Sequence, residues 1–188
     1  MRGNYSIYLF YLGILVVVFI FIGLLLRLKK KSYEKNNANF SSNPENFGNV
    51  SVFFDRHNNV TVISYVKDMC GMGRATGSPM FLNMPYNSCI LGQSVRAAMR
   101  KCEGGVPCSD TKLMANLGFK GWREFSDGKR SISVKYCKST GIVLNATRRS
   151  EDGTYQMNYA VPGRVIPGIC TDGELGEAIK KLIEKCTA

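Results

Sequence analysis

Twenty consecutive uncharged and mostly apolar residues run from Ile7 to Leu26, and basic residues follow at once from Arg27. At about 1.5 Å per residue, a helix of this length spans about 30 Å, the thickness of the hydrocarbon core of a bilayer. A cleaved signal peptide fits this pattern poorly, because its apolar stretch is shorter and its basic residues precede that stretch. The sequence therefore predicts a transmembrane anchor over residues 5–28.

The charges on either side of this anchor predict its orientation. Only Arg2 and the α-amino group precede it, whereas five Lys and Arg residues follow within residues 27–35. An excess of Lys and Arg marks the cytoplasmic flank, so we expect a single-pass protein with its C-terminal domain in the cytoplasm. Residues 29–47 are basic and then rich in Asn and Ser, which predicts a flexible tether. The remaining residues, 48–188, are long enough for one globular domain.

The domain begins with a hairpin pattern. Two runs rich in β-branched and aromatic residues, Val50–Phe54 and Val60–Val66, are separated by the polar turn at 55–59. A glycine-rich loop follows at 70–77. Helical spacing then begins at Ser88, the expected N-cap, and continues through Leu91, Val95, Ala98, Met99 and Cys102 before two glycines end it. A shorter helix is predicted from Ser109 or Asp110 to Gly118.

The second part of the domain predicts more strands and a final helix. Segments 121–125 and 131–137 flank an Asp-Gly pair, and segments 141–147 and 154–160 flank another, so each pair of segments is expected to form a hairpin. The last helix is predicted from Thr171 or Asp172 to Cys186. The fold class is therefore α+β: a mostly antiparallel sheet of about six strands, packed by two equivalent helices and a short one.

The two long helices share one pattern at a constant offset of 84 residues. Leu91 and Gly92 align with Leu175 and Gly176, the apolar positions coincide, and both patterns end in cysteine. A glycine near the start of a helix costs about 1 kcal/mol in helix propensity. A matched pair of such glycines therefore predicts a close approach of each helix to a neighbouring element.

Composition limits the chemistry that the domain can perform. Its 19 Lys and Arg exceed its 12 Asp and Glu, which gives about +7 of the chain's net charge of +11. Such a domain suits anionic lipid, nucleic acid or an acidic protein, and charge alone does not choose between them. The seven cysteines include no C-x-x-C pair, which excludes a zinc ribbon of that spacing, and in the cytoplasm they are expected to be reduced thiols.

No catalytic, cofactor-binding or metal-binding motif is visible. The only histidine, His57, lies in a predicted polar turn, and the glycine-rich loop after Cys70 lacks the spacing of phosphate-binding loops. We therefore expect no enzymatic activity, no cofactor and no metal. An enzyme that uses the Cys70 thiol is kept as an alternative, and a Cys-to-Ser series tests it.

Three segments resemble a known family. Ser88-Cys-Ile-Leu-Gly92, the central stretch from Leu117 to Phe125, and Thr171-Asp-Gly-Glu-Leu-Gly176 with its following helix are similar to one group of bacterial contact-dependent growth inhibition immunity proteins. The resemblance covers most of residues 50–186. It implies a non-enzymatic inhibitor that binds the C-terminal toxin domain, often a nuclease, of an effector delivered by a sister cell. With the anchor, it implies a location at the bacterial inner membrane.

A toxin-binding surface is expected on the strands and hairpin turns of the second part of the domain, where aromatic and Arg side chains typical of interface centres occur. The candidates are Trp122, Arg123, Asp127, Arg148, Arg149, Glu151, Asp152 and Tyr155. The alternative is a membrane-proximal nucleic-acid-binding module, because aromatic residues on predicted strands alternate with Lys and Arg. We expect a protein partner and not nucleic acid, and a steep fall of affinity with salt would indicate the alternative.

Overall fold

The computed structural model describes residues 48–187. The predicted anchor at 5–28 and the tether at 29–47 lie outside these residues. Within 48–187, no helix is long and apolar enough to cross a bilayer.

The described residues form one eight-stranded antiparallel sheet and four helices. The strands are β1 (Asn49–Phe54), β2 (Val60–Lys67), β3 (Gly73–Ala75), β4 (Met80–Leu82), β5 (Arg130–Cys137), β6 (Gly141–Arg149), β7 (Tyr155–Met157) and β8 (Arg164–Ile166). The helices are α1 (Ser88–Lys101), α2 (Asp110–Leu117), α3 (Trp122–Phe125) and α4 (Asp172–Ile183). Six strands follow the order β3-β2-β1-β5-β6-β7, while β4 and β8 pair with the outer edges of β2 and β6. The predicted α+β class is confirmed.

The sheet consists of two halves with the same plan. In the first half, β1 and β2 form a hairpin, β3 and β4 pair with the outer edge of β2, and α1 follows. In the second half, β5 and β6 form the hairpin, β7 and β8 pair with the outer edge of β6, and α4 follows. The strands β1 and β5 join the halves as an antiparallel pair. Corresponding residues are 82 apart in β2 and β6 and 84 apart in the two helices.

Helices α1 and α4 cover one face of the sheet, which we call the front face. Alternate strand residues point to this side and are buried with the apolar stripes of both helices. The buried strand positions include Val50, Val52, Val62, Ile132, Val134 and Leu144, all with no exposed area. Of the stripes predicted for both helices, Leu91, Val95, Leu175 and Ile179 are fully buried, whereas Cys102 at the end of the first stripe is half-buried.

The paired glycines explain how the two helices meet. A Cβ built on Gly92 would lie 1.9 Å from the carbonyl oxygen of Asp172, and a Cβ built on Gly176 would lie 1.9 Å from the carbonyl oxygen of Ser88. Each helix therefore places its glycine against the first residue of the other. Since the two contacts are equivalent, the predicted close approach is confirmed as contact between α1 and α4.

Helices α2 and α3 cover the opposite face, which we call the back face, and they cover it over the first half. Phe53 and Ile63 point to this side and are buried with Leu113, Met114 and Phe125. The corresponding positions in the second half are Lys135, which is exposed, and Asn145, which is half-buried. The residues between α1 and β5 thus add a second core to one half.

Segment 121–125, expected to be a strand in a hairpin, is the helix α3, so that prediction is wrong. The amide of Phe125 donates to the carbonyl of Gly121 at 3.0 Å, and the amide of Ser126 donates to that of Trp122 at 2.8 Å. The spacing of Trp122 and Phe125 lets both rings contact Phe53 from one side of a helical turn. Strand 131–137 pairs instead with β6.

The N-cap of α1 is Asn87, one residue before the predicted Ser88, and its side chain accepts the amide of Ile90 at 2.9 Å. The N-cap of α4 is Thr171, at the equivalent position 84 residues later. The repeat therefore includes the caps as well as the apolar stripes.

Candidate functional site

Seven of the eight candidate residues come together at one end of the sheet, which we call the α3 end. It consists of α3, the turn at 126–129 and the β6–β7 connection at 150–154 with the residues beside it. Arg148 is separated from the others, because residues alternate along β6. It lies on the front face with Ala146, and its backbone forms an isolated bridge with Thr187, four residues beyond the end of α4.

Aromatic rings form the body of the α3 end. Phe53 packs against Phe125 at 5.0 Å, Tyr155 at 5.4 Å and Trp122 at 6.3 Å between ring centroids. The first two contacts are edge-to-face, the geometry that aromatic quadrupoles favour. Phe53 and Phe125 are buried, while Trp122 and Tyr155 are half-buried and form the margin of the cluster.

Tyr155 joins β7 to the turn after α3. Its hydroxyl lies 2.7 Å from the carbonyl oxygen of Lys129 and 3.2 Å from that of Ser126. Burial raises the pKa of Tyr155 to about 12. The side chain thus stays neutral and fixes the position of the turn.

Arg149 makes a second connection between β6 and α3. Its Nε donates to Ser126 Oγ at 2.8 Å, and its guanidinium also donates to the carbonyl of Arg123 at 3.1 Å. The side chain is half-buried. Tyr155 and Arg149 are therefore positioned as supports of the α3 end, although the sequence proposed both as contact residues.

The turn between β6 and β7 packs directly on α3. A Cβ built on Gly153 would lie 2.4 Å from Arg123 Cα, and Gly153 has a φ of +88°, so glycine is required there for two reasons. The Asp152 carboxylate accepts the amide of Thr154 at 2.9 Å and its hydroxyl at 2.7 Å. These bonds hold the pKa of Asp152 below its usual range.

The exposed charges of the α3 end include both signs. Arg123, Asp127, Glu151 and Asp152 are exposed, and Asp127 lies 3.7 Å from Arg56 in a solvated ion pair. Such a pair contributes at most about 1 kcal/mol to stability. Glu124 of α3 is exposed as well, so this end of a basic domain presents four carboxylates, with which cations of a basic partner can pair.

Sequence reasoning did not identify the residues that organise the α3 end. Phe53 and Phe125 are its centre, and Lys129 lies 4.5 Å from the Phe125 centroid while donating to the carbonyl of Phe125 at 2.5 Å. Burial lowers the pKa of Lys129. The only sequence signal for this arrangement was the i, i+3 spacing of Trp122 and Phe125, which is typical of one face of a helix. The segment is so short that a strand fits it as well.

Two open cavities lie on either side of the C-terminal turn of α1, away from the α3 end. The first, of about 410 Å³, has Arg96, Arg100, Lys138 and Glu103 among its lining residues, with Met99, Tyr136 and Ile142. The second, of about 810 Å³, includes Arg100, Lys101 and Lys112. Both cavities are therefore predominantly basic.

The candidate chemical groups are dispersed. His57 is exposed in the β1–β2 turn, and Cys70 is exposed in a loop whose residues 73–75 form β3. All seven cysteines are free thiols. Among residues 48–187, no three His, Cys, Asp or Glu side chains are grouped as metal ligands.

No protein-family model matches the chain, and no curated protein is similar to it in sequence. Solved structures nevertheless share its fold. A protein of unknown function from Neisseria meningitidis is 16% identical with a TM-score of 0.61, over 77% of this chain and 98% of that one. A chain described as part of a CdiA-CT/CdiI toxin and immunity complex from Yersinia pseudotuberculosis is 14% identical with a TM-score of 0.57, over 74% of this chain and 97% of that one. At these identities the likeness shows the fold.

Proposed function

We propose that the chain is an immunity protein that binds and neutralises the C-terminal toxin domain of a contact-dependent growth inhibition effector. The observation that carries the proposal is the likeness of the described domain to a chain of a toxin and immunity complex, which spans nearly all of that chain. The sequence resemblance of the Leu-Gly helices is a second line of support. The proposed action is binding and not catalysis.

We propose that the domain is held at the cytoplasmic side of the inner membrane by residues 5–28. The support for this is the apolar segment with its basic flank in the sequence. A tether keeps the inhibitor concentrated where a toxin that crosses this membrane arrives.

The toxin-binding surface is proposed to be the α3 end. Trp122 is half-buried beside exposed charges of both signs, and half-buried aromatic residues with a polar margin are typical of interface centres. Its carboxylates, Asp127, Glu151 and Asp152, suit the basic surface of a nuclease. Arg149 and Tyr155 would hold this surface in place through their bonds to the turn after α3.

The test begins with the reading frames adjacent to the gene of this chain, among which the proposal predicts an effector gene. Its C-terminal domain is expressed in a host with and without the full chain, and growth is measured together with co-purification of the two proteins. Rescue of growth with stoichiometric binding supports the proposal. Growth inhibition that the chain does not relieve, with no binding, contradicts it.

The surface is tested with charge reversals that leave the supports intact. Arg123→Glu, Asp127→Arg and Glu151→Arg change exposed side chains, and together they are expected to weaken binding at least tenfold. Arg148→Glu is the single-residue control for Arg123→Glu, because Arg148 is also exposed but lies on the front face. Unchanged binding by the triple variant would reject the α3 end as the toxin-binding surface without contradicting the proposed function.

The salt dependence of binding distinguishes the nucleic-acid-binding alternative from toxin binding. Binding of an oligonucleotide through phosphate contacts would fall steeply with salt, in proportion to the number of phosphates neutralised. Recognition of one cognate toxin would instead be lost with specific residues of the α3 end.

A further inference from the structure

We propose that the end of the domain at which the chain enters β1 binds anionic phospholipid headgroups and so orients the domain on the membrane. We call it the basic end and define it by Arg96, Arg100, Lys101, Lys112 and Lys138. This inference rests on the membrane attachment in the proposed function. Beyond the proposed function, it assigns a lipid-binding surface and the side of the domain on which the α3 end faces away from the membrane.

The two cavities beside α1 supply the first argument. Arg100 lines both, Lys138 lines the first, and Lys101 and Lys112 line the second. All four side chains belong to exposed residues, and among residues 48–187 none of them forms an ion pair with a carboxylate. Glu103 is the only acidic residue that lines either cavity.

Arg96 has a different role in this region. Its Nε lies 2.7 Å from Asp172, and its guanidinium donates to the carbonyl of Gly168 at 3.2 Å and to that of Cys170. These bonds fix α1 to the segment before α4. Arg96 therefore shapes the first cavity, while the four exposed cations remain available to a ligand.

The path of the chain supplies the second argument. The carbonyl of Gly48 accepts the amide of Tyr136 at 3.0 Å, and a Cβ built on Gly48 would lie 2.9 Å from Met99 Cβ. Met99 and Tyr136 both line the first cavity. The chain thus enters the domain beside the basic end. A coil as long as the proposed tether of residues 29–47 has a root-mean-square reach of about 25 Å, which would keep this end near the membrane.

The corresponding region of the second half supplies the third argument. At an offset of 84 residues, Arg100 corresponds to Glu184 and Lys101 to Lys185. At these two positions the end of α4 carries one charge of each sign, whereas the end of α1 carries two cations ahead of Glu103. Tyr136, which lines the first cavity, corresponds to Phe54, which is 2% exposed and part of the core.

Phospholipid headgroups fit this combination of groups. Phosphate oxygens accept hydrogen bonds from Arg and Lys, and each cation near an anionic leaflet contributes about 1 kcal/mol of attraction. Tyr136 is half-buried and provides an apolar contact for the glycerol region of a lipid, above the buried side chains of Met99 and Ile142. Phe53 and the α3 end lie at the opposite end of β1, about 20 Å away at strand spacing, so docking would point them towards the cytoplasm.

The experiment uses the full chain reconstituted into nanodiscs of phosphatidylcholine, alone or mixed with phosphatidylglycerol. Hydrogen–deuterium exchange is measured for peptides that cover 96–112 and 136–142. We expect slower exchange of both peptides in discs with phosphatidylglycerol and no change at 122–127. Equal exchange of the basic end in both kinds of disc would overturn the proposal.

The variants remove the same number of cations from two different surfaces of the domain. Arg100→Gln, Lys101→Gln and Lys138→Gln together should lower the local affinity about a hundredfold, at about fivefold per cation, and abolish the protection. The control replaces Lys180, Lys181 and Lys185 of α4 and its end by Gln, which removes the same charge, and it should retain protection. Equal loss in both triple variants would show a general charge effect and reject the basic end.

Further arms separate other anions and the proposed function itself. Inorganic phosphate or a single-stranded oligonucleotide added to phosphatidylcholine discs should leave the exchange of 96–112 unchanged, and protection by either would reject a lipid-specific surface. A chain that enters neither kind of disc rejects the anchor and the docking together. Toxin neutralisation in solution should be unchanged in the basic-end variant, so its loss would reject the proposed division between a lipid-binding end and a toxin-binding end.

Discussion

The two halves of the domain have the same strand plan and the same helix, but their back faces differ. In the first half Phe53 and Ile63 are buried under α2 and α3, whereas the equivalent positions of the second half are Lys135 and Asn145. The shared front face needs apolar residues in both halves, because α1 and α4 bury it together. On the back face, large apolar side chains are buried where the added segment covers them, whereas Val165 of the second half is 58% exposed. The halves thus show that one framework carries two different surfaces.

The largest expected effect tests the shared part of the framework. Gly92→Ala and Gly176→Ala each place a Cβ against a backbone carbonyl at 1.9 Å, so α1 and α4 must separate. We expect each to lower the free energy of unfolding by about 4 kcal/mol or more, and by equal amounts. Urea titration measures this.

Gly173→Ala is the control for those variants, because it lies on the same helix and its Cβ would meet nothing closer than 3.9 Å. It should be neutral or slightly stabilising. A large difference between the Gly92 and Gly176 variants would contradict the equivalence of the two halves.

The next effect tests the difference between the back faces. Phe53→Ala removes a side chain that is 2% exposed at the centre of the aromatic cluster, and we expect a loss of about 3 kcal/mol. Lys135→Ala, at the equivalent position, should change stability by less than about 0.5 kcal/mol. Thermal or urea unfolding of both variants decides, and a similar cost for both would mean that the second back face is also packed.

A smaller effect concerns Tyr155, whose counterpart in the first half is Gly73. Tyr155→Phe removes the hydroxyl from the carbonyls of Lys129 and Ser126 and should cost about 1 to 2 kcal/mol. The cost should disappear with rising pH. The unfolded tyrosine ionises near 10 and the folded one near 12, so its stabilising contribution is complete below pH 10 and is lost towards pH 12.

Urea titrations of the wild type and Tyr155→Phe at a series of pH values from 8 upwards measure the difference in their free energies of unfolding. The probe is the fluorescence of Trp122, the only tryptophan of the chain. A pH-independent difference between Tyr155 and Phe would contradict the role of the buried hydroxyl.

The smallest effect compares the helix caps. Thr171→Ala and Asn87→Ala should each cost about 1 kcal/mol. Only α4 has a capping box, in which Glu174 accepts the Thr171 amide at 2.6 Å, and these bonds lower the pKa of Glu174. Stability from this carboxylate is present above its unfolded pKa and is lost as pH falls through the lower folded value. Lowering the pH should therefore reduce the free energy of unfolding of the wild type more than that of Glu174→Gln. No such pH dependence is expected from the cap of α1.

Local patterns predicted the long helices, the first hairpin and the β6–β7 pairing, because each depends on residues close in sequence. The spacing of Leu91, Val95, Leu175 and Ile179 specifies helices whatever they contact. The prediction for 121–125 was wrong because it too relied on local spacing. Four residues are too few for periodicity to decide, and contact of Trp122 and Phe125 with Phe53 favoured the helical turn.

The candidate site was predicted in part. The sequence indicated Trp122, Arg123 and Asp127 as candidates but did not predict that they lie near the β6–β7 turn. The fold brings them to this turn. Arg148 and Arg149 are neighbours in sequence but lie on opposite faces, which strand alternation separates. Tyr155 and Arg149 were chosen as exposed contacts, and their bonds to Lys129, Ser126 and Arg123 became clear only from the packing.

The sequence by itself determined the α+β class, the matched helices with their glycines, and the charge of the domain, since these depend on residue type and local spacing. The tertiary structure decided which element each glycine contacts, which half of the back face is covered, and which cations share one end. These depend on residues up to 88 positions apart. Long-range pairing between β1 and β5, and between α1 and α4, is what brings such residues into contact.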